Sequence, residues 1–164
     1  MCIRDRNRSV KVAIVGGYMR DLLITKIHNK TIFKPLDIDI VIEGSSVDLA
    51  KFIKKNISNV ELCLIKEFGI YDTVELNIND FKIDIASARK ENYKAPGLNP
   101  IVKHSNIKDD LKRRDFSINA IAFEFSKREI YDLFDGIKHI QKKELHLLHK
   151  NSIRDDPSLS LIHI

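Results

Sequence analysis

Apolar residues in this chain fall mostly into short blocks or strict alternations, and helical spacing is confined to a few stretches. Residues 10–15 form an apolar run that reads as a buried strand. Gly16-Gly17 reads as a tight turn, and residues 18–25 open a helix whose N-terminus faces it. Residues 24–34 are polar and irregular, a connection. Residues 36–43 alternate aspartate with branched apolar side chains and read as a strand that ends at Gly44. Ser45 or Ser46 is placed to cap a helix with apolar positions Val47, Leu49, Ala50, Ile53 and Ile57. Residues 60–66 read as a strand. Residues 73–79 and 81–86 alternate on either side of Asn79-Asp80, which predicts a hairpin. Pro96, Gly97 and Pro100 make residues 91–106 a surface loop. Residues 107–113 and 117–125 read as helices, 130–132 as a short strand, Asp135-Gly136 as a turn and 137–142 as a short helix. The sum is an α+β domain, a mixed sheet flanked by helices.

Candidate chemistry sits at two of these joints. Along a strand, side chains alternate between faces, so Asp37 and Asp39 point one way while Ile38 and Ile40 point into the core. Two carboxylates on one face repel each other unless a cation lies between them. Such hard oxygen ligands suit Mg²⁺, which one or two carboxylates and substrate phosphates usually hold. Upstream, the order strand, glycine pair, helix leaves backbone N–H groups free to meet a phosphate. Together the two joints favour metal-dependent handling of a nucleoside triphosphate.

A third segment, Asp110-Leu111-Lys112-Arg113-Arg114-Asp115-Phe116-Ser117-Ile118-Asn119-Ala120, extends the pattern. With Gly16-Gly17-x-x-Arg20-Asp21 and Asp37-x-Asp39, it resembles the bacterial tRNA nucleotidyltransferase and poly(A) polymerase family, within the polymerase-beta-like superfamily. Asp84-Ile85-Ala86-Ser87-Ala88-Arg89 and Glu91-Asn92-Tyr93-x-x-Pro96-Gly97 look like this family too, and the similarity runs from about Val12 to about Pro157.

That resemblance implies a nucleotidyltransferase head over residues 7–136 and the start of a helical neck over 137–158. It implies template-independent addition of C or A to tRNA 3′ ends from CTP or ATP, with Mg²⁺ as cofactor. Asp37 and Asp39 would bind two ions, and Asp84, five residues before Arg89, would supply the third carboxylate. Gly16, Gly17 and Arg20 would hold the triphosphate, Arg20 through its planar fork. Asp21 would orient Arg20 or cap the turn. Asp110, Arg113 and Asn119 resemble the family's ribose and phosphate contacts. Arg114 beside Asp115 is either a structural ion pair or a substrate contact. Asp155 and Asp156 match the acidic pair of the family's base-reading element, whose arginine should stand where Leu159 does. Poly(A) polymerase shares every motif present, and a non-catalytic nucleotide- or RNA-binding remnant is the other class of reading. Asp-x-Asp also serves sugar-nucleotide transferases, which do not explain the Arg113-to-Asn119 segment.

Composition changes this picture little. The formal charge is +5, a mild basic excess compatible with an RNA partner. No apolar run approaches the roughly 20 residues of a membrane span, and no secretory pattern stands out; the sparse cysteine usage suits a reduced, cytoplasmic protein. Residues 1–6 and 159–164 look like translations of the two strands of one transposase sequencing adapter. They are set aside, and removing their two arginines and one aspartate leaves +4. Cys63 is then the one remaining thiol and reads as a reduced core residue. His139, His146 and His149 with Glu144 lack a zinc-motif spacing and read as a solvated polar segment.

Overall fold

A computed structural model describes residues 4–5, 8–29, 37–57, 60–63, 72–78, 81–92 and 100–149. The strands are β1 (Arg4–Asp5), β2 (Arg8–Ser9), β3 (Val12–Val15), β4 (Asp37–Ile42), β5 (Val60–Cys63), β6 (Thr73–Ile78), β7 (Phe81–Ser87), β8 (Arg89–Asn92), β9 (Ile101–His104), β10 (Ile121–Glu124) and β11 (Glu129–Asp132). The helices are α1 (Gly16–His28), α2 (Ser46–Asn56), α3 (Ile107–Lys112) and α4 (Gly136–Lys142), with a 3₁₀ turn at Ser117–Asn119. Seven strands form one mixed sheet in the order β11-β10-β3-β4-β7-β6-β5. The β4–β7 pair is parallel and the other pairs in this sheet are antiparallel. Two small ribbons, β1–β2 and β8–β9, stand apart from it.

The alternation of apolar residues decides what each face does. Ile40 and Ile42 of β4, Val74 and Leu76 of β6, and Ile83 and Ile85 of β7 pack with Leu49, Ala50 and Ile53 of α2. Ser45 caps α2 by accepting from the Asp48 N–H at 3.2 Å. Ile57, read as the last apolar position of that helix, instead ends it and is exposed. Farther along the sheet, Met19, Leu23, Ile24 and Ile27 of α1 pack with Ile14, Phe123, Ile121 and Ile140. The other face holds Ala13, Val15, Val41 and Ala122, covered by Ile107 and Leu111 of α3. Asn106 caps α3 through the Asp109 N–H, and Glu43 accepts from the Ile107 N–H at 3.0 Å.

Three expectations differ from the structure. Helix α1 starts at Gly16 itself and runs to His28, so residues 24–28 are helical and not a connection; apolar contacts of Ile24 and Ile27 carry it on. Residues 89–92 and 101–104 pair as an antiparallel ribbon where a loop was expected, because the main-chain groups flanking the Pro-Gly stretch find partners in each other. Residues 117–125 are not a helix: after one 3₁₀ turn the chain enters β10, which pairs with both β3 and β11. Ile121-Ala122-Phe123 suits either period, and sheet pairing decides it. The two-residue hairpin between β6 and β7 is supported by the Ile78↔Phe81 register, although Asn79 and Asp80 lie outside the described residues.

Candidate active site

The sheet places carboxylates in a row. Asp39 of β4 lies opposite Asp84 of β7 in the parallel pair, and Asp84 lies opposite Glu75 of β6 in the antiparallel one. One step along, Asp37, Lys82 and Asn77 form the next row on the same face. The Lys82 ammonium sits 3.0 Å from Glu75 Oε2 and 3.6 Å from Asp84 Oδ2. Burial pushes the Asp84 carboxyl above the usual carboxylate range; Glu75 and Asp39 push the same way, and Lys82 opposes them. The hydrogen bond to Glu75, followed by the charge of Asp84, raises Lys82. Several carboxylates in one row, Asp84 among them with its anion already disfavoured by burial, are a donor set that fits a hard cation. A protein ammonium already occupies part of that field.

The glycine turn abuts this row. Gly16 has φ +69°, a left-handed conformation that glycine adopts without penalty. A Cβ on Gly16 would collide with Asp39 Oδ2 and would lie 3.4 Å from Arg114 Nη1. The missing side chain therefore lets the Asp39 carboxylate and the Arg114 guanidinium approach over the turn. Gly17 is different: its Cβ would meet only Arg20 Nη2 at 3.5 Å. Val15, the N-cap residue of α1, makes no side-chain cap hydrogen bond and the first turn carries no acid, so the positive end of the helix dipole suits an anion.

Arg20 projects from the first turns of α1. Its Nε donates to Asp21 Oδ1 at 2.7 Å and its Nη1 to Asn119 Oδ1 at 3.0 Å. Asp21 thus orients Arg20, as one of its two expected roles has it. The Asn119 contact joins residues 99 positions apart. The Asn119 carbonyl accepts a long, 3.4 Å hydrogen bond from Arg114 Nη1. Arg114 Nη2 reaches Asp110 Oδ2 at 3.4 Å, while the buried Nε has no partner among the described residues. Burial draws the Arg114 pKa down; Asp110 and Asp39 oppose that, and Arg113 adds to it.

Asp110 is fully buried. Its Oδ1 accepts from Arg113 Nε and Nη2 at 3.0 and 2.9 Å and from the Arg89 N–H at 3.3 Å. Arg113 also reaches Glu91 Oε1 at 3.2 Å, and Arg89 Nε reaches the same oxygen at 2.8 Å. Asp110 therefore stands beneath the arginines, not at a surface where a ribose contact was expected. Its neighbour Asp109, paired with Lys112, Lys90 and Ser105, is held well below the usual carboxylate range.

Sequence reasoning missed Glu75 and Lys82, and it quoted Glu91 within a motif without giving it a role. Glu75 and Lys82 were legible in principle from the hairpin register across Asn79-Asp80, which puts both on the aspartate face. Asp155, Asp156 and Leu159 lie outside the described residues, as does the side chain of Cys63.

The segment read as solvated and polar is exposed at Glu144, His146 and His149, while His139 is half-buried and makes ordered contacts. The His139 and His146 rings stack with centroids 3.8 Å apart at 13°. His139 Nδ1 pairs with Ser117 Oγ at 2.8 Å, and His146 Nε2 with Glu144 Oε2 at 3.1 Å. Ligand atoms of His139, Glu144 and His146 lie within 4.8 Å of one another. Face-to-face imidazoles keep their lone pairs in nearly parallel planes, whereas two nitrogens on one ion, each about 2.0–2.1 Å from it, must converge on a shared point. As arranged, the group packs the 144–148 segment against the head: the Ser117 N–H donates to the His146 carbonyl, and the Leu148 N–H to that of Asp115.

Residues 12–146 match the family model described as poly A polymerase head domain. The chain belongs to that family. The A-adding tRNA nucleotidyltransferase of Aquifex aeolicus is 35% identical over 151 residues, 90% of this chain and 17% of that protein. The CC-adding tRNA nucleotidyltransferase of Deinococcus radiodurans is 32% identical over 162 residues, 94% of this chain and 40% of that protein. A CCA-adding enzyme in an apo form superposes with a TM-score of 0.76 at 35% identity, over 93% of this chain and 34% of that one. A tRNA nucleotidyltransferase complexed with a primer tRNA and an incoming ATP analogue gives 0.71 at 31% identity, over 90% of this chain and 38% of that one. This head domain therefore spans less than half the length of the relatives it matches. Nucleotidyltransferases of the family are generally metal-dependent. Among the described residues, no helix is long and apolar enough to cross a membrane.

Proposed function

We propose that this head catalyses nucleotidyl transfer from ATP or CTP to a tRNA 3′ end, in the cytoplasm, as the catalytic part of a longer enzyme. The observation that carries the proposal is the parallel register of Asp39 with Asp84 beside the Gly16 turn. It joins a cation-seeking row to an uncapped helix N-terminus. In the reaction, the RNA 3′ oxygen bonds to the α-phosphorus, the bond from that phosphorus to the bridging oxygen breaks, pyrophosphate leaves and the hydroxyl proton is released.

Asp37, Asp39 and Asp84 would hold Mg²⁺, which supplies charge stabilisation and lowers the pKa of the attacking hydroxyl when bound. The rest is work for the chain itself. The first-turn N–H groups from Gly16 and Gly17 onward, together with Arg20, bind the triphosphate. Asn119 fixes the Arg20 fork and offers its amide to the ribose. Arg113 would add a nucleotide contact, and buried Asp110 contributes by holding Arg113 and Arg114 in place. Asp155 and Asp156 are proposed to read the base, with residues 7–136 as head and 137–158 as the opening of the neck. Poly(A) addition remains the second reading, because the motifs are shared and a poly(A) polymerase of Haemophilus influenzae is 25% identical over 139 residues.

Assaying a full-length enzyme that carries this head separates these readings. Extension of tRNA lacking its terminal nucleotides, lost in Asp39→Asn, supports tRNA end addition. Preferential tailing of unstructured RNA by ATP supports the second reading, and no Mg²⁺-dependent extension of either substrate contradicts both.

A further inference from the structure

We propose that Lys82 is a built-in counter-cation of the carboxylate row, which Glu75 holds beside Asp84 and which an incoming divalent ion must displace. The inference rests on the metal reading above and adds two positioning residues to it. Lys82 stands on the same face as Asp37, Asp39 and Asp84, directly across from Asp37 in the parallel pair. Its ammonium lies closer to Glu75, at 3.0 Å, than to Asp84, at 3.6 Å. Glu75 is mostly buried, with 14% of its side chain exposed, and sits opposite Asp84. Lys82 is 41% exposed, on a long, flexible stem.

Those positions make a tether and a moving group. Without a divalent ion, the ammonium offsets the mutual repulsion of Asp84, Asp39 and Glu75, so the row forms without a metal. With one, two cations compete for Asp84. Glu75 then offers Lys82 a place to stay, 3.0 Å away, clear of the ion. The tether therefore favours exchange: Lys82 weakens divalent binding, and Glu75 limits how much it does so. A merely structural ion pair between Lys82 and Glu75 would leave metal affinity unmoved.

The test is Mn²⁺ binding to the purified chain without nucleotide, followed by the electron paramagnetic resonance signal of free Mn²⁺. Lys82→Met should bind Mn²⁺ roughly threefold tighter, in keeping with a half-exposed pair. Glu75→Gln should bind it roughly threefold more weakly, because Lys82 then rests on Asp84 alone. The double variant discriminates the tether from a general field effect. In the Lys82→Met background the Glu75→Gln effect should largely vanish, whereas independent charges would add. Lys90→Met, which removes a lysine paired with Asp109 on the β8–β9 ribbon, should leave Mn²⁺ affinity unchanged. Unaltered affinity in Lys82→Met, or additive effects in the double variant, would overturn this inference while leaving the metal site in place. Wild-type binding that Asp84→Asn does not weaken would overturn the metal reading itself, and this inference with it.

Discussion

The carboxylate row and the arginine–asparagine cluster stand side by side yet are built in opposite ways. Asp37, Asp39, Asp84 and Glu75 are placed by strand register alone, each by the hydrogen-bonded ladder beneath it. Arg20, Asn119, Arg114, Arg113 and Asp110 are placed by one another, across α1, α3 and the 3₁₀ turn. The row gathers carboxylates on a rigid backbone around the Lys82 ammonium, so negative charge stays in excess and favours a further cation. The cluster interleaves charges of both signs, so its members orient each other before any ligand arrives. Damage to the row should therefore remove chemistry with little effect on folding, and damage to the cluster should mix the two.

Asp39→Asn is the largest expected effect. In the complete enzyme it should lower nucleotide addition at least about a hundredfold, since metal-borne charge is worth several kcal/mol in the transition state. Its thermal unfolding should stay close to wild type. A variant that unfolds early would break the contrast between the two regions.

Gly16→Ala sharpens the boundary between them. The new Cβ meets Asp39 Oδ2, and φ +69° penalises any side chain by about 1–2 kcal/mol. Both stability and activity should fall, readable by denaturant titration and by extension assay. Gly136→Ala strains the cluster's support instead, because a Cβ there would run into the Ser117 carbonyl and Ile121. Overpacking of this kind costs about 1–3 kcal/mol. Asp132 caps α4 through the Gly136 and Ile137 N–H groups at 2.7 and 2.9 Å, so the strand-to-helix corner has little room to shift.

The same division explains what the sequence alone could convey. A period of two is a local property, so the spacing of Asp37 and Asp39 among apolar residues was enough to read them as one-face carboxylates, whereas Asp84 came from the family resemblance and its place opposite Asp39 from the β4–β7 register. The glycine turn and the α2 cap were readable for the same reason. Asp110 was not: its burial depends on α3 docking beside β8, and nothing in Asp109-Asp110 says which aspartate turns inward. Residues 121–124 were misread because the short apolar stretch Ile121-Ala122-Phe123 carries no period of its own and took its state from β3 and β11. Arg114, expected to pair with the adjacent Asp115 or to meet substrate, instead reaches Asp110 and the Asn119 carbonyl through long bonds.

Asn119→Ala should have a moderate effect. It removes the acceptor that holds Arg20 Nη1, and a hydrogen bond to a charged group is worth about 1.5–3 kcal/mol. Nucleotide affinity should weaken by about tenfold or more, with tRNA binding unchanged, by calorimetry with each ligand. Equal losses for both would place Arg20 on the RNA surface. Gly17→Ala is the smallest expected effect on folding. Its Cβ finds only the flexible end of Arg20, and alanine is favoured over glycine inside a helix by about 0.8–1 kcal/mol. Stability should be unchanged or slightly higher by thermal denaturation.

The central claim is that strand register alone assembles a divalent-cation site from Asp37, Asp39 and Asp84 next to the Gly16 turn. Crystals of the chain grown with Mn²⁺ and a non-hydrolysable ATP analogue test it most directly, through the anomalous difference map at the manganese edge. The account predicts manganese peaks bounded by those three carboxylates, with the triphosphate over the N-terminus of α1. Manganese bound elsewhere, or a triphosphate away from that helix end with the carboxylate row bare, would contradict it.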